Sequence, residues 1–469
     1  MTCGSRALGP AQVALVTGGT GAIGWRTVEG PDAVMMGERT HRLPLQGCCW
    51  RRRAPSGARG KGQGTLLEGG IAEPPVDNRA WRVGFGTTLA LAMGMGPSAL
   101  YALNVLSPLV VTELGLSRAA FGSLASLSFA VAVPCSMVGG RVVDRMGGRR
   151  LLVVLFASAA VAVLLLALAG SYLWLLAAAA VAGFSQSTSN PVTNQLVSAH
   201  LPAGRQGLVM GVKQSGVQMT QFAVGMLLPP LAVLVGWRAS AAVLLVPAVA
   251  ALALTARYVP GRLATAGRSP AGTVGGGSAA FVWWLCGYLF LVGVAVQAAN
   301  AYLPLYAFEV VGLPAAVAGS VAGLVGAVGI AGRIGLGRLA ERTGDPGRLL
   351  VGLALAAVLA FATLAWAGSA GSLLLIGAAA YGATAATAVV VVMISVVRSL
   401  PPQTVGRATG LMSLGLYAGF ASGPVAFGAL VDATGSYRLG WTAAAALCAA
   451  GAGAAAGWRR SMRSRGRQS

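Results

Sequence analysis

Two rows of side chains in this sequence carry chemistry that their apolar surroundings do not explain. Gln186, Asn190 and Thr193 stand at i, i+4 and i+7, and Gln214, Gln218 and Gln221 repeat that spacing, so each trio falls on one face of a helix. A carboxamide both donates and accepts hydrogen bonds. A face of carboxamides therefore suits either a polar solute in a cavity or hydrogen bonding to a neighbouring helix, and spacing alone leaves both readings open. Asn104, Gln297 and Asn300 extend the polar set, whereas for Tyr381 helix-to-helix hydrogen bonding is the better reading. Two cations, Lys213 and Arg333, also stand inside apolar runs. The acids after residue 84 are Glu113, Asp144, Glu309, Glu341, Asp345 and Asp432, and each falls at the end of an apolar run. Buried cations without a buried carboxylate match an organic anion better than a cationic drug. The alternative is that Lys213 and Arg333 snorkel to a nearby interface.

The elements that position these groups follow from composition. The 469 residues are 56% hydrophobic and 10% charged, where a soluble domain has roughly 25% charge. Apolar runs such as Leu151 to Gly170 are continuous, and about twenty such residues cross roughly 30 Å of hydrocarbon as a helix. A membrane barrel would instead alternate over short segments. The expected fold is an all-α integral membrane protein of twelve transmembrane helices in two six-helix bundles. The expected divisions are an N-terminal extension at 1–80, a first half at 81–258, a linker at 259–278, a second half at 279–458 and a basic tail at 459–469. The net charge of +22 does not point to nucleic acid, because the arginines sit in short segments between apolar runs. Their bias to alternate segments, with only Arg118, Arg238 and Arg438 on the other side, predicts that both termini are cytoplasmic in a multi-pass protein of the cell membrane.

The halves repeat. Gly140-Arg-Val-Val-Asp144-Arg145-Met-Gly147 returns as Gly337-Arg-Leu-Ala-Glu341-Arg342-Thr-Gly344, and 337 minus 140 gives an offset of 197. Pro108 with Glu113 returns as Pro304 with Glu309, an offset of 196. With Arg149 and Arg150 closing the first copy, this loop resembles the signature loop of the major facilitator superfamily, and the resemblance covers residues 84–458. It implies two six-helix halves that rock about a central site, with the loop stapling cytoplasmic helix ends in the outward-facing state. It also implies that the first, fourth, seventh and tenth helices line the path. Glu341 stands where the second copy usually has aspartate. Simple positive-inside anchoring is the alternative role for these loops.

The function expected is therefore secondary active transport of a small organic anion or polar metabolite by alternating access. Efflux of drug-like compounds is the alternative; a membrane enzyme or a non-transporting sensor follows further behind. Only His41 and His200 are present, without metal-ligand spacing, and no phosphate-binding GxxxxGK[ST] loop occurs. No cofactor, no metal and no nucleic-acid partner are expected. The expected partners are the solute, the lipid bilayer and a co-transported proton or other ion, with the chain a monomer. Residues 1–80 lack helical or strand periodicity and read as disordered or as an overextended start. Within them Thr17-Gly-Gly-Thr-Gly21-Ala-Ile-Gly24 resembles a dehydrogenase nucleotide turn, but the required following helix and βα units are missing.

Overall fold

The computed structural model describes residues 13–17, 23–27, 79–201, 203–260, 276–343, 345–400 and 402–465. These belong to two units, Met1–Gly70 and Ile71–Ser469. In the first, β1 (Val13–Thr17) and β2 (Ile23–Thr27) pair antiparallel, with Val13 opposite Thr27 and Thr17 opposite Ile23. This ladder stands where no periodic element is expected. It also shows why the glycine-rich turn does not resemble a nucleotide site in detail: it leads from one strand into its antiparallel partner, not into a helix whose N-terminus could hold phosphate. The remainder of the extension and most of the 259–278 linker lie outside the described residues.

The second unit is helical. Its first half comprises α1 (Arg79–Met95), α2 (Ser98–Val105), α3 (Ser107–Leu114), α4 (Arg118–Met146), α5 (Gly148–Ala167), α6 (Tyr172–His200), α7 (Ala203–Val235), α8 (Trp237–Ala242) and α9 (Leu245–Tyr258). Its second half comprises α10 (Gly276–Glu309), α11 (Ala315–Ala318), α12 (Ser320–Arg342), α13 (Pro346–Ala365), α14 (Gly371–Ala383), α15 (Ala388–Ser399), α16 (Pro402–Thr434) and α17 (Tyr437–Arg465). Helices dominate because a backbone in hydrocarbon must satisfy its own N–H and C=O groups within the segment.

Among the described residues, ten helical stretches are long and apolar enough to cross a membrane, and the bent pair α1–α2 makes an eleventh. The one expected span left over, the fourth, is α6, which has the length, at 29 residues. It falls short on apolarity because Gln186, Asn190, Asn194 and Gln195 occupy it together with a run of Ser and Thr. The first expected span, 84–111, is broken: α1 and α2 meet at 51° around Gly96 and Pro97, where proline can neither donate nor fit the preceding turn. The repeat is also unequal. Where α6 is continuous, its counterpart is interrupted between α14 and α15 by a 3₁₀ turn at Ala385–Thr387.

The halves meet through α4 against α16 and α7 against α12. Small residues let these backbones approach: a methyl on Gly225 of α7 would sit on the backbone of Gly323 of α12. At one end the halves are bolted together by charge. The Arg118 guanidinium donates to Glu309 at 3.0 Å, and the Tyr437 hydroxyl donates to the same carboxylate at 2.8 Å. The backbone N–H groups of Arg118 and Ala119 donate to the two oxygens of Asp432. At the arginine-rich end, Asp345 caps α13 by accepting from the Arg348 N–H at 3.1 Å and pairs with Arg459 of α17 at 2.7 Å.

Candidate functional site

Between the halves lies a cavity of about 200 Å³, and its walls explain which polar residues belong together. α6 contributes Gln186, Ser189 and Asn190; α7 contributes Gln214, Gln218 and Gln221; α10 contributes Gln297 and Asn300; α12 contributes Arg333. The bend of the first span places Met93, Pro97 and Tyr101 on the wall, and the broken stretch between α14 and α15 places Ala385 and Ala386 there. Aromatic rings of Phe129, Tyr417 and Phe420 close part of it across the α4–α16 seam, with Phe129 and Phe420 4.9 Å apart. Eight of the eleven expected binding residues thus share one space: Gln186, Asn190, Gln214, Gln218, Gln221, Gln297, Asn300 and Arg333.

The carboxamides form a relay across the halves. Gln221 donates through Nε2 to Asn300 Oδ1 at 3.2 Å, and the Tyr381 hydroxyl lies 3.0 Å from the same oxygen and 2.9 Å from the Val296 carbonyl. Asn300 in turn donates to Gln297 Oε1 at 3.4 Å. That chain leaves the Gln297 Nε2 buried without a partner, as are Gln186 Oε1 and Arg333 Nε. A buried polar atom left unpaired costs about 1–3 kcal/mol. Three such atoms belong to residues lining one cavity, where a polar solute has something to gain. Arg333 also donates from Nη1 to the Gln214 carbonyl at 3.4 Å, which spans the α7–α12 seam. Among the described lining residues it is the one formal charge, and no carboxylate stands beside it.

Three expected residues sit elsewhere. Lys213 is 1% exposed and does not face the cavity. Its ammonium donates to Thr193 Oγ1 at 2.9 Å and to Asn194 Oδ1, which ties α7 to α6 inside the first half. Thr193 is spent on this contact and on the Ser189 carbonyl at 2.6 Å. Asn104 is buried at 2% exposure, with neither amide atom partnered, away from the cavity lining. The physical reason is angular: Lys213 is one residue, or about 100°, round the helix from Gln214, so the two side chains leave α7 in different directions.

The signature loop is only partly visible. Gly147 adopts φ +80°, a conformation that glycine tolerates freely, and caps α5. Arg149 donates to the Ala256 carbonyl at 3.0 Å, so it ties α5 to α9. Arg150 and Arg342 are exposed at helix ends, and Gly337 lies within α12. The side chains of Asp144, Arg145 and Glu341, the surroundings of Gly140 and the whole of Gly344 lie outside the described residues.

Comparison with known proteins decides the family. The model of the Major Facilitator Superfamily matches residues 88–374. The chain belongs to the major facilitator superfamily. A probable sulfoacetate transporter, SauU, of Cupriavidus necator is 26% identical over 390 residues, covering 75% of this chain and 87% of the relative. Among solved structures, a bacterial homologue of the human lysosomal transporter Spinster, in an inward-facing and occupied conformation, superposes with a TM-score of 0.64 at 16% identity, over 82% of this chain and 98% of its own. The nucleoside transporter NupG superposes at 0.63 with 14% identity, over 81% and 98%. These structures share the fold. The superfamily member described here is a multi-pass membrane protein and a secondary transporter of a small solute, not an enzyme.

Proposed function

We infer that the solute is a small organic anion, held in the central cavity with Arg333 as its counter-charge. The observation that carries this is the guanidinium of Arg333 on the cavity wall with a buried, unpartnered Nε and no carboxylate among the described lining residues. A planar, permanently charged fork suits carboxylate, sulfonate or phosphate oxygens. A cationic drug would meet no compensating acid there. The likeness to a probable sulfoacetate transporter supports the same charge class. In this reading α6 is the fourth of twelve spans, the arginine-rich loops and both termini face the cytoplasm of a cell membrane, and the chain works as a monomer. The bolt of Arg118, Glu309 and Asp432 then closes the outer end, and rocking of the halves breaks it and opens the cavity outward. In this reading a co-transported proton or other ion couples the anion's movement to an ion gradient. The signature-loop residues Gly140 to Arg150 and Gly337 to Gly344 act in this reading as the inner latch.

The test is uptake into proteoliposomes of labelled small carboxylates and sulfonates, under imposed proton and sodium gradients. Wild-type protein is expected to accumulate at least one anion, and Arg333→Gln to lose that uptake while retaining its folded yield. Undiminished anion uptake by Arg333→Gln defeats the assignment.

A further inference from the structure

The cavity lining combines two chemistries, and the second says what the rest of the solute is. One is the cation of Arg333. The other is the set of carboxamides, among them Gln186, Gln297 and Asn300. Tyr381 and Gln221 both engage Asn300 Oδ1, which turns its Nδ2 onto Gln297 Oε1 and leaves Gln297 Nε2 as a free donor. Gln186, from α6, offers Oε1 as a free acceptor in the same lining. The carboxamides therefore present one donor and one acceptor, both buried and both unpaired. A second carboxylate or sulfonate accepts only, so it would leave the Gln186 oxygen facing negative charge. It would also need a second cation. The remaining intramembrane candidate, Lys213, is buried between α6 and α7 on Thr193 and Asn194, outside the lining. An alkyl end would leave both amide atoms unsatisfied. A hydroxyl donates and accepts at once.

The geometry points to a hydroxylated organic monoanion as the transported solute, its acid group on Arg333 and its hydroxyl end between Gln186 and Gln297. This rests on the anion reading above and narrows it. It also separates this protein from its relative, since sulfoacetate carries an acid at each end.

Purified full-length protein in detergent is titrated by calorimetry with glycerate and gluconate, with propionate and hexanoate as unhydroxylated monoanions of matching length, and with malonate, adipate and sulfoacetate as dianions. At least one hydroxylated monoanion is expected to bind about tenfold or more tighter than its length-matched partners, because a site built for a hydroxyl penalises analogues lacking it. Gln186→Leu and Gln297→Leu should bring the hydroxylated-to-plain ratio towards one, with propionate or hexanoate affinity little changed. Gln297→Met, close to the native shape and uncharged, serves as the second variant if the leucines fold poorly; it too should bring the ratio towards one. Dianions that bind as tightly as the hydroxylated monoanions, with Arg333→Gln abolishing both, would overturn this inference and leave the anion reading standing. A ratio unmoved by either leucine variant would overturn it too. Binding of no anion at all would remove both.

Discussion

The two oxygens of Asp432 accept from the backbone N–H groups of Arg118 and Ala119, at 3.0 and 2.8 Å, so the last turn of α16 in one half caps the first turn of α4 in the other. A helix start leaves its first N–H groups without intrahelical partners, and its dipole favours an anion there. The cap therefore exists only while the halves are together at this end, which makes it a conformation-specific contact.

Asp432→Ala removes that cap. A cap of this kind is worth about 1 kcal/mol, so the balance between bolted and open arrangements should move roughly fivefold towards open. Spin labels at Thr112→Cys and Ala433→Cys, both exposed near the bolt, should report a larger long-distance population by double electron–electron resonance. An unchanged distance distribution would show that the cap does not bias the halves.

Glu113 provides a pH prediction within the first half. Hydrogen bonds from Arg238 and then from Trp237, both at 2.6 Å, hold its carboxyl below the ordinary carboxylate range. A depressed native pKa means that the stabilisation is present above the unfolded value of about 4.3 and is lost as pH falls through the native value. The side chain is 47% exposed, so solvent screening limits the effect to within about 1 kcal/mol. Glu113→Gln should melt slightly below wild type at pH 7, and the gap should narrow as the pH is lowered below about 4.3, in thermal unfolding of the detergent-solubilised protein.

Lys213 and Arg333 should separate cleanly on substitution. Lys213 joins α6 to α7 and does not line the cavity, so Lys213→Met should keep the KM for the anion within about twofold. Arg333→Gln should raise KM beyond measurement. Equal loss of affinity in both variants would place the ammonium in the solute's path.

Gly225 tests the seam. Any side chain there meets the Gly323 backbone, and backbone cannot yield as a flexible side chain can. Gly225→Val should lower kcat by about tenfold or more with a smaller change in KM, since it spreads α7 from α12 without touching the cavity lining. Single-turnover uptake alongside initial rates checks this.

Much of this arrangement was legible in the sequence because helical spacing survives burial. The rows Gln186–Asn190 and Gln214–Gln218–Gln221 share a wall because i, i+4 and i+7 share a helix face. Lys213 was expected as a counter-charge or a snorkelling cation, and only the structure shows it turned into the α6–α7 contact. What could not be read was the partner, since Asn194 lies one residue past Thr193 and gives no signal of its own. Tyr101, Tyr417 and Phe420 escaped notice because aromatic residues in apolar runs ordinarily fill cores. The bend at Gly96 and Pro97 had a breaker pair to announce it. The interruption at Ala385–Thr387 had no such pair, only alanines and threonines that a continuous helix accepts.

The polar character of α6 reaches back to the protein's synthesis. A segment carrying two glutamines and two asparagines among its Ser and Thr residues partitions poorly from the insertion machinery into lipid by itself, because each such group must find a companion or carry its water along. With α6 read as a span, these groups favour its entry together with a neighbouring helix over entry alone, and Lys213 of α7 is the neighbour that gives Thr193 and Asn194 a partner.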